Sequence, residues 1–234
     1  MNAYKTFAYY YDEVYQDLDY KLWLDFIEPY LSASSSILDV ACGTGTLAIL
    51  LKLKGYDVEG LDLSDSIIEI AKEKSKINHL SIPFYVADMT NFKLEKTYDM
   101  VTCFFDSFNF LKNIQLVNST LENIYTHLKP GGYLIFDLFS KPMLKEYKRH
   151  KKTIKNKTHK IIWKTKLTSS TTLKHHILIQ EGDIQQEETY EEFYYDFQHI
   201  NFEGYQIIKI CGDFNGELNQ KDERILIVLK KTSV

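Results

Sequence analysis

The chain has 234 residues, enough for one large domain or a domain carrying a smaller insert. Hydrophobic residues make up 44% and charged residues 26%, an ordinary globular balance, and a net charge of −4 speaks against a generally nucleic-acid-binding surface. Cys42, Cys103 and Cys211 form no CxxC pair, which fits free thiols in a reducing compartment rather than a disulfide framework or a zinc site.

The N-terminal residues Met1–Phe7 lack a basic-then-apolar leader, and no stretch approaches the roughly 18 apolar residues that span a bilayer. A cytoplasmic protein without membrane contacts is expected. Trp23, Phe26, Ile27, Tyr30 and Leu31 fall at helical spacing, with Asp19 placed to cap. Ser34–Ser36 read as a loop before a strand at Ile37–Val40, and a helix over Leu47–Leu53 stops at Gly55. A second strand, Val58–Leu61, ends at Asp62. Ser64 then caps a helix that carries Ile67, Ile68 and Ala71 on one face.

Strands follow at Phe84–Ala87, ending at Asp88, and at Met100–Phe105. Val117, Leu121, Ile124 and Leu128 mark the buried stripe of a helix stopped by Pro130-Gly131-Gly132, and Tyr133–Leu138 is a fifth strand. This βαβα order predicts a parallel sheet covered by helices. The pattern changes after Phe139. Residues 141–160 hold nine Lys or Arg against one acid, Glu146, and residues 181–203 hold eight acids and no Lys or Arg. Residues 161–197 read as strands with turns at Ser169-Ser170 and Gly182-Asp183, and the opposite charges suggest that the basic and acidic regions pair. Tyr205–Cys211 and Arg224–Leu229 read as two last strands returning to the main sheet.

Asp39-Val-Ala-Cys-Gly43-Thr-Gly45 places an acid at a strand end and two glycines in the turn that enters a helix. The glycines permit positive φ and close approach to a ligand, and the helix N-terminus behind them favours polar or anionic groups. Gly43, Gly45 and Ala48 also satisfy the dinucleotide pattern G-x-G-x-x-A, with Asp62 at the distance of a ribose-binding acid. The loop alone therefore leaves two cofactors open. Three features favour S-adenosylmethionine (SAM): Asp39 puts negative charge where a pyrophosphate would approach, Asp88 adds a third acid at a third strand end, and the last region looks antiparallel. Asp39, Asp62 and Asp88 offer one acceptor each to the amino group, the ribose diol and the adenine amine of SAM.

With these residues in view, the chain resembles the class I SAM-dependent methyltransferases, in particular the bacterial small-molecule type with an antiparallel insert. Ile37–Thr46, Glu59–Ser64, Val86–Met89, Tyr98–Ser107 and Leu128–Asp137 match the family's successive motifs, and Phe7–Asp12 resembles its lid segment. The likeness covers roughly residues 4–140. Thr46 stands where a third glycine is often found, and the helix before the sixth strand is abbreviated to about 198–203.

The resemblance implies an α/β fold: a Rossmann-like, mostly parallel seven-stranded sheet with helices on both faces. Residues 1–140 and 204–234 would form the SAM-binding domain, and 141–203 an antiparallel β insert capping the substrate. It implies that Asp62 binds the ribose hydroxyls, Leu63 packs on adenine, and Asp88 and Met89 read the adenine edge. Gly43 and Gly45 would back the methionine moiety beside Ala41 and Cys42, Phe104 would lie near the sulfonium, and Tyr11 would close over the methionine end. Tyr11 and Asp106 are the candidate catalytic residues, and Trp163, Glu188 and Tyr195 the candidate substrate contacts. The expected reaction is in-line methyl transfer to a small molecule. A cationic or amine acceptor would suit the acidic stretch. The alternatives are RNA methylation through the basic run 141–160, whose binding should fall steeply with salt, and a non-catalytic SAM-binding protein. His175-His176 would point to opposite faces of a strand, and no metal site is expected. The assembly is expected to be a monomer or homodimer.

Overall fold

The computed structural model describes residues 6–214 and 216–232. The main sheet has seven strands: β1 (Ser36–Val40), β2 (Asp57–Asp62), β3 (Phe84–Val86), β4 (Tyr98–Cys103), β5 (Leu128–Phe139), β10 (Tyr205–Gly212) and β11 (Arg224–Lys231). Their spatial order is β10-β11-β5-β4-β1-β2-β3. Strands β3, β2, β1, β4 and β5 run parallel, while β11 is antiparallel to both β5 and β10.

Alternation along each strand explains why both faces need covering. Ile37, Met100, Ile135, Leu226 and Val228 pack with α2 (Lys21–Ile27), α3 (Thr46–Leu53) and α4 (Asp65–Ile77). Their neighbours Leu38, Val101, Leu134, Phe136, Ile225 and Ile227 pack on the opposite face with Val117, Leu121 and Ile124 of α5 (Ile114–His127). Ser64 caps α4 as the sequence predicts, its hydroxyl accepting from the Ile67 amide.

Two local expectations need correction. Pro130-Gly131-Gly132 does not separate the helix from the strand. The helix ends at His127, pairing resumes at Leu128, and the Pro-Gly-Gly segment is a bulge between the Tyr98–Leu128 and Met100–Tyr133 pairs. A side chain at Gly132 would come within 3.0 Å of the carbonyl oxygens of Asp99 and Lys129. The region after residue 140 also begins with a helix, α6 (Lys141–Tyr147), rather than a strand. Ser140 caps it and Pro142 occupies its first turn, a helix-start signal hidden under the lysine run.

A second sheet holds β6 (Lys151–Lys155), β7 (His159–Leu167), β8 (Thr172–Glu181) and β9 (Ile184–Phe193), all antiparallel, in sequence order. Between the described strands, the basic and acidic regions meet only at the His159–Glu181 pair. Strands β6 and β9 lie at opposite edges, and the acidic β9 pairs with β8. Charge alone predicted complementarity, but successive short turns enforce a meander, which puts first and last strands furthest apart.

The second sheet's inner face carries Ile161, Trp163, Ile177, Ile179 and Tyr190. It is covered by the N-terminal segment, a 3-10 turn at Phe7–Tyr10 followed by α1 (Tyr11–Val14), through the fully buried Phe7 and Val14. Among the described residues no helix is long and apolar enough to cross a membrane.

Candidate active site

Strand β1 has β2 on one side and β4 on the other, so the chain's progress along the sheet reverses beside β1. Open α/β sheets bind ligands at the carboxyl ends of strands at such a point. Here the backbone is strained. Ala41, after β1, has φ 54°, and Phe105 and Asp106, after β4, both have φ 60°. Non-glycine residues adopt this region at a cost, and such strain gathers at functional sites. All three line one cavity of about 720 Å³.

At one end, the cavity is walled by Ala41, Cys42, Gly43, Asp62, Leu63, Asp88 and Met89. Gly43 has φ +56°, and a Cβ on it would meet no protein atom within 4 Å. Its amide donates to Asp62 Oδ2 at 3.1 Å, while the Ser64 amide donates to Asp62 Oδ1 at 3.0 Å. Asp62 is thus fixed by the two turns that follow β1 and β2. Burial raises its carboxyl above the usual range, against these amide bonds. Asp88 Oδ1 accepts from the amide and hydroxyl of Thr90, at 2.8 and 2.7 Å. Leu63 is half exposed. Fixed carboxylates, an open glycine and aliphatic side chains fit a ligand with a ribose diol, an adenine and a methionine tail.

The N-terminal segment is latched over this loop. Asp12 accepts from Thr44 Oγ1 and from Lys74 Nζ, each at 2.6 Å, and the same lysine donates to Thr44 and Thr46. The latch brings Tyr11 into the cavity wall, where burial pushes its phenol well above the ordinary value.

Five expected positions lie elsewhere than the cavity wall. Asp39 is buried behind the loop and accepts from Thr102 Oγ1 at 2.7 Å; burial pushes its carboxyl up to about 7. Gly45 heads α3 with φ +76°, and a Cβ there would sit 2.9 Å from Phe84. Phe104 is buried in the sheet core, and its neighbour Phe105 faces the cavity instead. Glu188 holds the N-terminal segment, accepting from the amides of Thr6 and Phe7 at 2.6 and 3.0 Å. Tyr195 donates its hydroxyl to the Leu111 carbonyl.

The opposite end of the cavity is built by the second sheet and β11. Trp163, His175 and Glu192 enter from β7, β8 and β9, and Tyr147, His150, Lys152 and Arg224 complete the wall. His175 does turn inward and His176 outward. Arg224 grips Asp106 with two nitrogens at 2.7 and 3.3 Å and reaches Asp137 at 2.8 Å. Asp137 in turn accepts from the Asp106 amide and the Trp23 indole. Burial raises the Asp106 carboxyl to about 7 against the pull of Arg224, with Asp137 and Glu192 adding to the rise. Arg224, His175 and Glu192 were not expected from sequence. Arg224 carried a signal, being the one ionic residue at the head of the apolar run Ile225–Leu229. Of the acidic stretch, only Glu192 enters the cavity.

Residues 37–132 match the methyltransferase domain family. A putative methyltransferase of Geobacillus sp. (strain WCH70) is 30% identical over 246 residues, covering 98% of this chain and all of the relative. The chain belongs to the class I SAM-dependent methyltransferase family. The crystal structure of a SAM-dependent methyltransferase from Clostridium acetobutylicum ATCC 824 superposes with a TM-score of 0.83 at 25% identity, covering 98% of this chain and 99% of that one. A dTDP-4-amino-2,3,4,6-tetradeoxy-D-glucose N,N-dimethyltransferase of Saccharopolyspora spinosa is 28% identical over 49% of this chain and 44% of its own length. This methyltransferase uses SAM as its methyl donor, and the glycine loop with its acids is the part of the cavity whose chemistry fits it.

Proposed function

We propose that this methyltransferase acts on a small molecule held between the N-terminal segment, β11 and the second sheet. The observation that carries the reading is the single cavity running from the glycine loop to Trp163, His175 and Glu192. In this reading Asp62 holds the ribose hydroxyls. Leu63 and Met89 flank the adenine, Asp88 accepts from its amine, and Gly43 with Cys42 backs the methionine tail. When bound, SAM supplies an activated methyl group and its own leaving group. The protein's task is then to align the acceptor, exclude water and receive a proton where the acceptor must lose one.

Tyr11 and Phe105 both line the cavity, and an aromatic ring beside the sulfonium would favour it through the ring quadrupole. Asp106 is tied to Arg224, which favours an orienting role over proton transfer. The basic run is spread over several elements. Lys141 and Lys145 lie on α6, Lys151 and Lys155 on the exposed side of an edge strand, and Lys152 turns toward the cavity. Lysines on an edge strand also block unwanted strand pairing. The amino-sugar relative makes amines the first acceptors to try.

Calorimetry with SAM and its demethylated product, S-adenosylhomocysteine, tests the cofactor end. A screen of small amines and alcohols, read by mass gain of one methylene, tests the acceptor end. SAM binding with micromolar or better affinity and transfer to a small amine or alcohol are expected. Absence of SAM binding, or transfer confined to RNA, would sink the reading.

A further inference from the structure

His175 is 2% exposed, and its two ring nitrogens have different surroundings. The Trp163 indole N–H donates to Nδ1 at 3.0 Å. Nδ1 must therefore be unprotonated, which makes the ring neutral with its proton on Nε2. Tyr190 stacks on the ring at 4.5 Å and 6°, fixing its plane. Nε2 is the buried side-chain polar atom left without a hydrogen bond among the described residues. Glu192 Oε2 lies 3.1 Å away, but off the N–H line, so the pair meets by distance and not by hydrogen-bond geometry. Both groups line the cavity.

A buried polar group without a partner is costly, and one that faces a cavity marks where a ligand can supply the missing bond. The charges at this end of the cavity point the same way. Arg224 is committed to two carboxylates, Asp106 and Asp137, and Lys152 donates to the Val14 carbonyl. Among the described residues Glu192 pairs with no lysine or arginine, and the neighbouring His175 accepts from Trp163 at Nδ1. A carboxylate in this setting favours an ammonium or amine partner. The Nε2 proton needs a lone pair. The two groups are only 3.1 Å apart, close enough for one small molecule to reach both.

We propose that His175 and Glu192 form the acceptor-recognition point of the cavity and select a small molecule in which an amine and a hydroxyl stand on adjacent carbons. The amine donates to Glu192, and the hydroxyl oxygen accepts from His175 Nε2–H. Trp163 and Tyr190 are positioning residues that hold the ring in the donor tautomer. The inference rests on the small-molecule methyltransferase reading above. A bridging water is the alternative occupant, since it too can satisfy both groups.

The test uses the full chain labelled with ¹⁵N in histidine and tryptophan and saturated with S-adenosylhomocysteine. Ethanolamine, ethylamine and ethylene glycol are the probes, and the His175 Nε2 and Trp163 Nε1 resonances are the readout. The proposal expects ethanolamine to move both resonances and to bind about tenfold more tightly than either single-function probe. It expects Glu192→Gln to remove that preference while leaving the calorimetric affinity for S-adenosylhomocysteine unchanged. The comparison among probes in the unaltered protein needs no variant to fold. Equal affinity for the three probes, or resonances unmoved by ethanolamine, leaves water as the occupant and overturns the proposal. If S-adenosylhomocysteine binds and ethanolamine does not, the recognition point falls and the methyltransferase reading stands. If S-adenosylhomocysteine itself fails to bind, both fall.

Discussion

Asp62 and Asp39 stand at the ends of adjacent strands with different duties. Asp62 joins the Gly43 and Ser64 turns through two charge-assisted amide bonds and presents its carboxylate to the cavity. Asp62→Ala loses both and, in the proposed site, the ribose contacts as well. Hydrogen bonds to charged groups contribute about 1.5–3 kcal/mol each, so SAM affinity should fall roughly a hundredfold. Calorimetry reads this directly, and an unchanged affinity would remove Asp62 from the site. Asp39 is sealed behind the loop, and burial raises its carboxyl from 3.8 to about 7. A carboxyl raised in the folded state favours folding most below its unfolded value, and that contribution disappears as pH rises toward about 7. Asp39→Asn keeps an acceptor for Thr102 and has no charge to bury. Its stability advantage should therefore be small near pH 4, grow through pH 5 and 6, and level off above about pH 7, reaching at most about 4 kcal/mol. Denaturant titrations at several pH values check the slope, and an advantage independent of pH would contradict it. The same residue scale shows what the sequence could carry. The acids and glycines of the loop were legible because strand-end carboxylates and positive-φ turns leave fixed spacings. The choice between Phe104 and Phe105 was not. It depends on β4 ending at Cys103 and on the left-handed backbone of Phe105 and Asp106, which changes the side that follows.

At the scale of elements, the N-terminal segment is held from two directions. Asp12 ties it to Thr44 and Lys74 of the main domain, and Glu188 on β9 ties it to the second sheet. Glu188→Ala leaves the Thr6 and Phe7 amides without their acceptor. A loss of about 1–2 kcal/mol should speed hydrogen exchange over residues 6–15 roughly tenfold without changing exchange in the main-sheet strands. Uniform acceleration across the chain would mean that Glu188 supports global stability instead. Most elements could be read from apolar periodicity, since the central strands of the main sheet alternate between two apolar layers. The partners of the second sheet could not. Periodicity identifies which side of a strand is inward, but not which strand lies beside it. The acidic β9 is set next to β8 by its short turn, so Glu188 and Glu192, four residues apart on one face, serve the N-terminal segment and the cavity respectively.

The whole molecule is two sheets joined by shared pieces rather than two separate bodies. Phe7 and Val14 complete the inner core of the second sheet with Ile161, Trp163, Ile177, Ile179 and Tyr190. Asn109 bridges the sheets, donating to the Phe193 carbonyl at 2.8 Å and accepting from the Phe139 amide at 3.2 Å. The N-terminal segment thus covers the antiparallel sheet's hydrophobic face, which in the proposed site would link the SAM end of the cavity to order at the acceptor end. Phe7→Ala tests that link. Large-to-small changes at buried aromatic positions cost about 3–5 kcal/mol. Here the cost falls on the second sheet first, because Phe7 edges against the Trp163 ring at 6.0 Å. The chain has two tryptophans, so Trp23→Phe leaves Trp163 as the sole reporter. In that background Phe7→Ala should red-shift Trp163 emission and lower its urea midpoint. The main sheet, followed by exchange of the β1 and β4 amides, should keep most of its protection. Bound S-adenosylhomocysteine should recover part of the Trp163 midpoint, by stabilising the closed arrangement through Tyr11 and Asp12. If the ligand raises main-sheet protection and leaves Trp163 where it was, the two ends of the cavity are independent.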